Sequence, residues 1–148
     1  MSAHVADSLH EITIESPIQS VFDAWITPRG LASWWTSDCR IAGERGEVNI
    51  FGFGNRSVLF HFHIDELIAP SRVQWTGIEG PNMPSEWIGT TIDVQLIPEG
   101  EKRTRVRLSH RDWRSLDGGY RLCNTTWGEL MFRLRDACEG KGTGPLFD

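Results

Sequence analysis

The sequence predicts an α+β fold in which a curved antiparallel sheet of six to seven strands wraps around one long C-terminal helix. Three observations lead there. Apolar and polar residues alternate in several segments between residues 9 and 110, as they do in half-buried strands. Two short helical patterns follow the first of these segments. The longest helical pattern comes last, at residues 123–139, where Cys123, Trp127, Leu130, Met131, Leu134 and Cys138 form an apolar stripe.

The elements follow in order. In residues 9–16, His10, Ile12 and Ile14 share one side, while Glu11, Thr13 and Glu15 share the other. Ser16 reads as a helix cap with Pro17 at the first helical position. Ile18, Val21, Phe22 and Trp25 then recur at helical spacing, giving a helix over 17–25. Thr27-Pro28 stops it, and residues 29–35 (RGLASWW) form a second short helix. Further strands are expected at 47–51, 57–67, 72–76, 90–97 and 104–110. The loop 77–89, rich in Gly and Pro, is a candidate rim or lid. All seven prolines fall at or outside element ends, which supports these boundaries. Gly140 stops the last helix. Residues 1–7 and 141–148 are expected to be loosely ordered, with Leu146 and Phe147 able to dock back.

Composition narrows the function. The 148 residues are 39% hydrophobic and 24% charged, as expected of one globular domain. The net charge is −5 and no basic stripe is visible, so nucleic acid is not an expected partner. No apolar run reaches membrane-spanning length, and no membrane insertion is expected. The opening MSAHVADSLHEI lacks a basic stretch followed by an apolar one, so a cytoplasmic location is expected. The three cysteines Cys39, Cys123 and Cys138 follow no disulfide or metal spacing and read as small apolar side chains.

Seven tryptophans and seven phenylalanines stand beside a single tyrosine. Strand and loop register turns Phe53, Phe60, Phe62, Trp75, Trp87 and Trp113 toward the inner face. The helices add Trp35, Trp127, Met131 and Leu134. A pocket built from several of these would hold a small, mostly apolar or aromatic molecule. His110 continues the inward register of Val106 and Leu108 and is placed at the pocket mouth. It either anchors a ligand or shuttles a proton, or it is bonded to the backbone or Asp112 as a structural group. In the first case an acidic ligand would bind more tightly as pH falls through about 6.5.

His110 is also the only candidate catalytic residue, because the sequence has no nucleophile elbow, zinc signature or phosphate loop. No cofactor is expected. His61 and His63 point the same way on one strand with Asp65 nearby, but opposite to Phe60, Phe62 and Ile64. They read as a solvated convex face, and no metal site is expected. Phe132 lies away from the apolar stripe of the last helix, a possible homodimer contact.

The element order β-α-α-β-β-β-β-β-α resembles that of the START-like (Bet v 1-like, SRPBCC) superfamily. The stretch IESPIQSVFDAWITPRGLASWW, with PSRVQWT, TRVRLSH and TWGELMFRL after it, is similar to bacterial relatives of the Hsp90 ATPase activator C-terminal domain. The resemblance implies a helix-grip fold with a deep cavity between sheet and C-terminal helix. Relatives include binders of lipids, hormones and polyketides, cyclases, and co-chaperone domains. Ligand binding, cyclase or hydrolase chemistry, and protein interaction all remain open on that basis. The eukaryotic activator carries a separate N-terminal Hsp90-binding domain for which this chain has no room, so Hsp90 is not an expected partner.

Overall fold

In the computed structural model, which describes residues 6–148, seven antiparallel strands form one sheet. The strands are β1 (Ala6–Ile14), β2 (Cys39–Arg40), β3 (Val48–Phe53), β4 (Val58–Ile68), β5 (Arg72–Ile78), β6 (Thr91–Pro98) and β7 (Thr104–Trp113). Their order across the sheet is β1-β7-β6-β5-β4-β3-β2. Helices α1 (Ile18–Ile26) and α2 (Pro28–Ala32) follow β1, and α3 (Gly119–Cys138) closes the chain against β1 and α1. This is the predicted helix-grip fold.

Boundaries shift for local reasons. Pro17, not Ser16, is the cap of α1, with extended backbone and no side-chain cap bond. Thr27 serves two helices: its hydroxyl donates to the Asp23 carbonyl at 2.8 Å and accepts from the Gly30 amide at 2.9 Å. Gly30 lies so close beneath that turn that a Cβ there would meet the Asp23 carbonyl oxygen at 2.5 Å. The second helix ends at Ala32, before Trp34 and Trp35, which fold inward. The two-residue strand β2 pairs Cys39 and Arg40 with Phe51 and Ile50 and is too short to show alternation.

The loop over 77–89, the candidate rim or lid, is packed in part. Strand β5 runs on to Ile78, a 3-10 turn spans Ser85–Trp87, and Met83 and Trp87 are buried. Arg114 pins that turn by donating to the carbonyls of Ile88 at 2.7 Å and Ser85 at 3.0 Å. Each of the two ends expected to be loosely ordered contains paired residues. Ala6 and Asp7 belong to β1, while the first five residues lie outside the described ones. At the other end Leu146 and Phe147 dock back: their amides donate to the carbonyls of Trp34 (3.3 Å) and Trp35 (2.9 Å).

The core is a run of stacked and edge-on rings. Trp25 lies 4.8 Å from Trp34 and 6.5 Å from Trp127, and Phe51 lies 5.5 Å from Trp75. Such pairs add about 0.5–1.5 kcal/mol each beyond their apolar burial. They fill the inner face from α1 across to β5 and leave one end of the grip unfilled.

Candidate functional site

The unfilled end is a cavity of about 350 Å³ between the first half of α3, the β3–β4 hairpin, the 3-10 turn and the C-terminal tail. Of the residues the sequence assigns to a pocket, Trp35, Phe53, Phe60, Trp87 and Trp127 line it. Phe147, Val58, Leu130, Leu122, Cys123, Thr126 and Glu86 join them, and these the sequence reading missed. Leu122 borders the cavity while remaining 70% exposed, which marks its mouth.

The remaining expected residues are structural. Phe62 and Trp75 share the inner face with Phe60, but Phe51 covers them at 5.4 and 5.5 Å. Trp113 is closed in between Trp87 and Tyr120. Met131 and Leu134 are buried where α3 packs on the core. Alternation tells which side of a strand is inner. It does not tell whether another ring stands opposite.

His110 requires the largest correction. It is 0% exposed and lies behind the cavity wall, not at its mouth. Trp127 donates its indole N–H to His110 Nδ1 at 3.0 Å, and His110 Nε2 meets Thr90 Oγ1 at 2.8 Å. The Thr90 hydroxyl itself donates to the Trp87 carbonyl at 2.6 Å. Thr90 is thus an acceptor for His110, which fixes a neutral imidazole with the proton on Nε2. Burial pushes the His110 pKa down to about 3. With both ring nitrogens engaged and no charge at neutral pH, it cannot anchor an acid or carry a proton to a ligand.

The cavity electrostatics rest on other groups. Cys123 is half-buried, and desolvation pushes its thiol up to about 11, against a hydrogen bond with Trp87, so it stays neutral at pH 7. The Thr126 hydroxyl is spent on the Leu122 carbonyl at 2.9 Å. Glu86 is the one carboxylate in the lining, and its Oε2 accepts the Gly119 amide at 3.0 Å, at the start of α3. Among the described residues, no Lys, Arg or His lines the cavity.

This capping explains why α3 begins four residues earlier than its apolar stripe indicates. A carboxylate at a helix N-terminus bonds an unpaired amide and meets the positive end of the helix dipole. Gly118 and Gly119 leave the room: a Cβ on either would lie within 2.7 Å of a Glu86 oxygen.

On the outer face His61 and His63 are half-buried, less solvated than expected. His63 Nδ1 pairs with Asp65 Oδ1 at 2.7 Å, and Asp65 also accepts the Thr76 hydroxyl. Asp65 lies in a register irregularity of β4 against β5, between Ile64 and Glu66. Among the described residues no group of three or more His, Cys, Asp or Glu is placed to hold a metal. Nor is any helix among them long and apolar enough to cross a membrane.

A family model described as "Activator of Hsp90 ATPase homolog 1-like protein" matches residues 15–139. The chain belongs to that family. Among solved structures the chain is similar to the Aha1 dimer from Colwellia psychrerythraea. They share 32% identity and a TM-score of 0.82, over 93% of this chain and 98% of that one. CalU16 from Micromonospora echinospora shares the fold at 15% identity and a TM-score of 0.72, over 95% and 69% of the two chains. DynU16, a putative protein in the dynemicin biosynthetic locus, does so at 16% identity and 0.73, over 92% and 48%. No curated protein matches the chain. Family membership accounts for the fold, and the function must be argued from the cavity.

Proposed function

We propose that this family member is a single cytoplasmic domain that binds a small, flat, uncharged aromatic molecule in the cavity beside α3. The observation that carries this is the lining: six aromatic rings, a neutral thiol, and one carboxylate with no basic side chain among the described residues. Such a wall suits an apolar ligand with few polar groups. An acidic ligand would bring a second negative charge next to Glu86 and leave water for a site without a counter-charge. The free cysteines accord with a reducing compartment.

The test compares two molecules of nearly equal shape, naphthalene methanol and naphthoate, by thermal shift and titration calorimetry. The alcohol is expected to bind at least about tenfold more tightly, a difference of about 1.4 kcal/mol. Equal affinity, or preference for the acid, would overturn the ligand class. Capture of Hsp90 by the chain in place of either compound would favour the protein-interaction reading.

A second reading concerns self-association. The Colwellia relative is a dimer, and here Phe132 on α3 and Leu9 on β1 are exposed apolar residues. We extend homodimerisation to this chain on those grounds. Light scattering that finds a monomer across the micromolar range would remove it.

A further inference from the structure

The C-terminal tail supplies part of the cavity wall. After Gly140 the chain leaves α3 and crosses toward β2, where Thr36 and Phe147 form a parallel bridge. The Phe147 amide donates to the Trp35 carbonyl at 2.9 Å, and the Ser37 amide donates to the Phe147 carbonyl at 3.2 Å. Arg133 holds the approach by donating to the Gly144 carbonyl at 2.9 Å. So placed, the Phe147 ring stands edge-on to Phe53, 5.2 Å between centroids, and lines the cavity beside Trp35.

This wall differs from the others in how it is held. Phe60, Trp87 and Trp127 are fixed by the sheet, the packed turn and α3, and Trp35 by the turn after α2, where its amide donates to the Leu31 carbonyl at 2.8 Å. Phe147 is half-buried against the core, but its backbone is held by only a few bonds, just beyond the segment GKGTG. Gly140 and Gly144 there have positive φ angles of 79° and 97°, with open space where a Cβ would be. Segments with few packed contacts and glycine-rich backbone are those that open at low cost.

We propose that Phe147 is a specificity-determining residue of the cavity, a displaceable end wall that sets the largest ligand the site accepts. This rests on the ligand-binding reading above. It predicts a size effect that a residue of purely structural importance would not produce. A smaller side chain lengthens the cavity and favours longer ligands, and a larger one shortens it.

The experiment uses two uncharged compounds, N-phenyl-naphthylamine and the longer steroid progesterone, with wild type, F147A and F147W. In F147A the naphthylamine is expected to bind about fivefold more weakly for want of one ring contact, while progesterone binds more tightly. F147W should reverse the preference. Should F147A lose its fold, F147W and hydrogen exchange on wild type carry the test. Exchange at the amides of Leu146 and Phe147 should slow when N-phenyl-naphthylamine saturates the site. An unchanged affinity ratio in a folded variant, or unchanged exchange at those amides, overturns the role of Phe147 alone. Failure of wild type to bind either compound overturns the ligand-binding reading, and this one with it.

Discussion

Trp127 on α3 and His110 on β7 are joined by one hydrogen bond of 3.0 Å, from the indole N–H to the imidazole Nδ1. That bond ties the helix to the sheet at the floor of the cavity. Trp127 shows its other surface to the cavity and rests 5.1 Å from Trp35. One residue therefore serves both the core and the site, and the imidazole behind it is a structural partner.

Trp127→Phe keeps most of the apolar surface but removes the donor, leaving His110 Nδ1 buried and unpaired. Urea denaturation is expected to show a loss of about 1–3 kcal/mol. Trp127→Ala should cost more, about 3–5 kcal/mol, since a packed ring is lost as well. If Trp127→Phe is as stable as wild type, the bond contributes nothing and the pairing described above is unimportant.

The buried imidazole gives stability a pH dependence of known sign. In the fold His110 stays neutral down to about pH 3, whereas in the unfolded chain it takes up a proton near 6.5. Between these values the unfolded state binds one more proton, so stability falls as pH falls through that window. The slope is at most about 1.4 kcal/mol per pH unit for one group. Burial lowers His10 too, so the informative quantity is the difference between wild type and His110→Gln. Glutamine keeps one acceptor for Trp127 and one donor for Thr90 without titrating. Denaturation midpoints at pH 7 and pH 5 should diverge less for the variant, and parallel curves would refute the assignment.

How far this was readable beforehand depends on what each residue meets. In β6 and β7 the alternation of Ile92, Val94 and Leu96, and of Val106 and Leu108, fixes the inner side because the apolar residues gather there, while the other side carries polar ones such as Thr91, Asp93 and Arg107. Phe60 and Phe62 obey the same rule, yet one borders the cavity and the other packs on Phe51. That outcome depends on a ring from β3, which period-two patterning does not register. The inward register of His110 was legible as well. Its sealing was not, because Trp127 and Thr90 arrive from other elements. The start of α3 was hidden by a cap that comes from Glu86, 33 residues earlier. Phe147, an isolated aromatic in a glycine-rich tail, carries no periodic signal at all.

Glu86→Ala removes the acceptor for the Gly119 amide at the start of α3. Loss of a helix cap should cost about 1 kcal/mol, and hydrogen exchange should quicken in residues 119–122 before the rest of the helix. Uniform exchange along α3 would show that the carboxylate does not hold its first turn. Glu86→Gln should retain much of the cap and also ease the entry of naphthoate, separating helix support from charge exclusion.

A cavity of this lining beside α3 should take an uncharged aromatic guest. Cys123 lines that cavity and is only half-buried, so Cys123→Trp fills the space from a position the fold can accommodate. The decisive measurement is a calorimetric titration of N-phenyl-naphthylamine into wild type and Cys123→Trp, each with its melting temperature recorded. Saturable one-to-one binding by wild type, abolished in a variant that melts at the wild-type temperature, is the predicted result. No saturable binding by wild type, or equal binding by the filled variant, would contradict it.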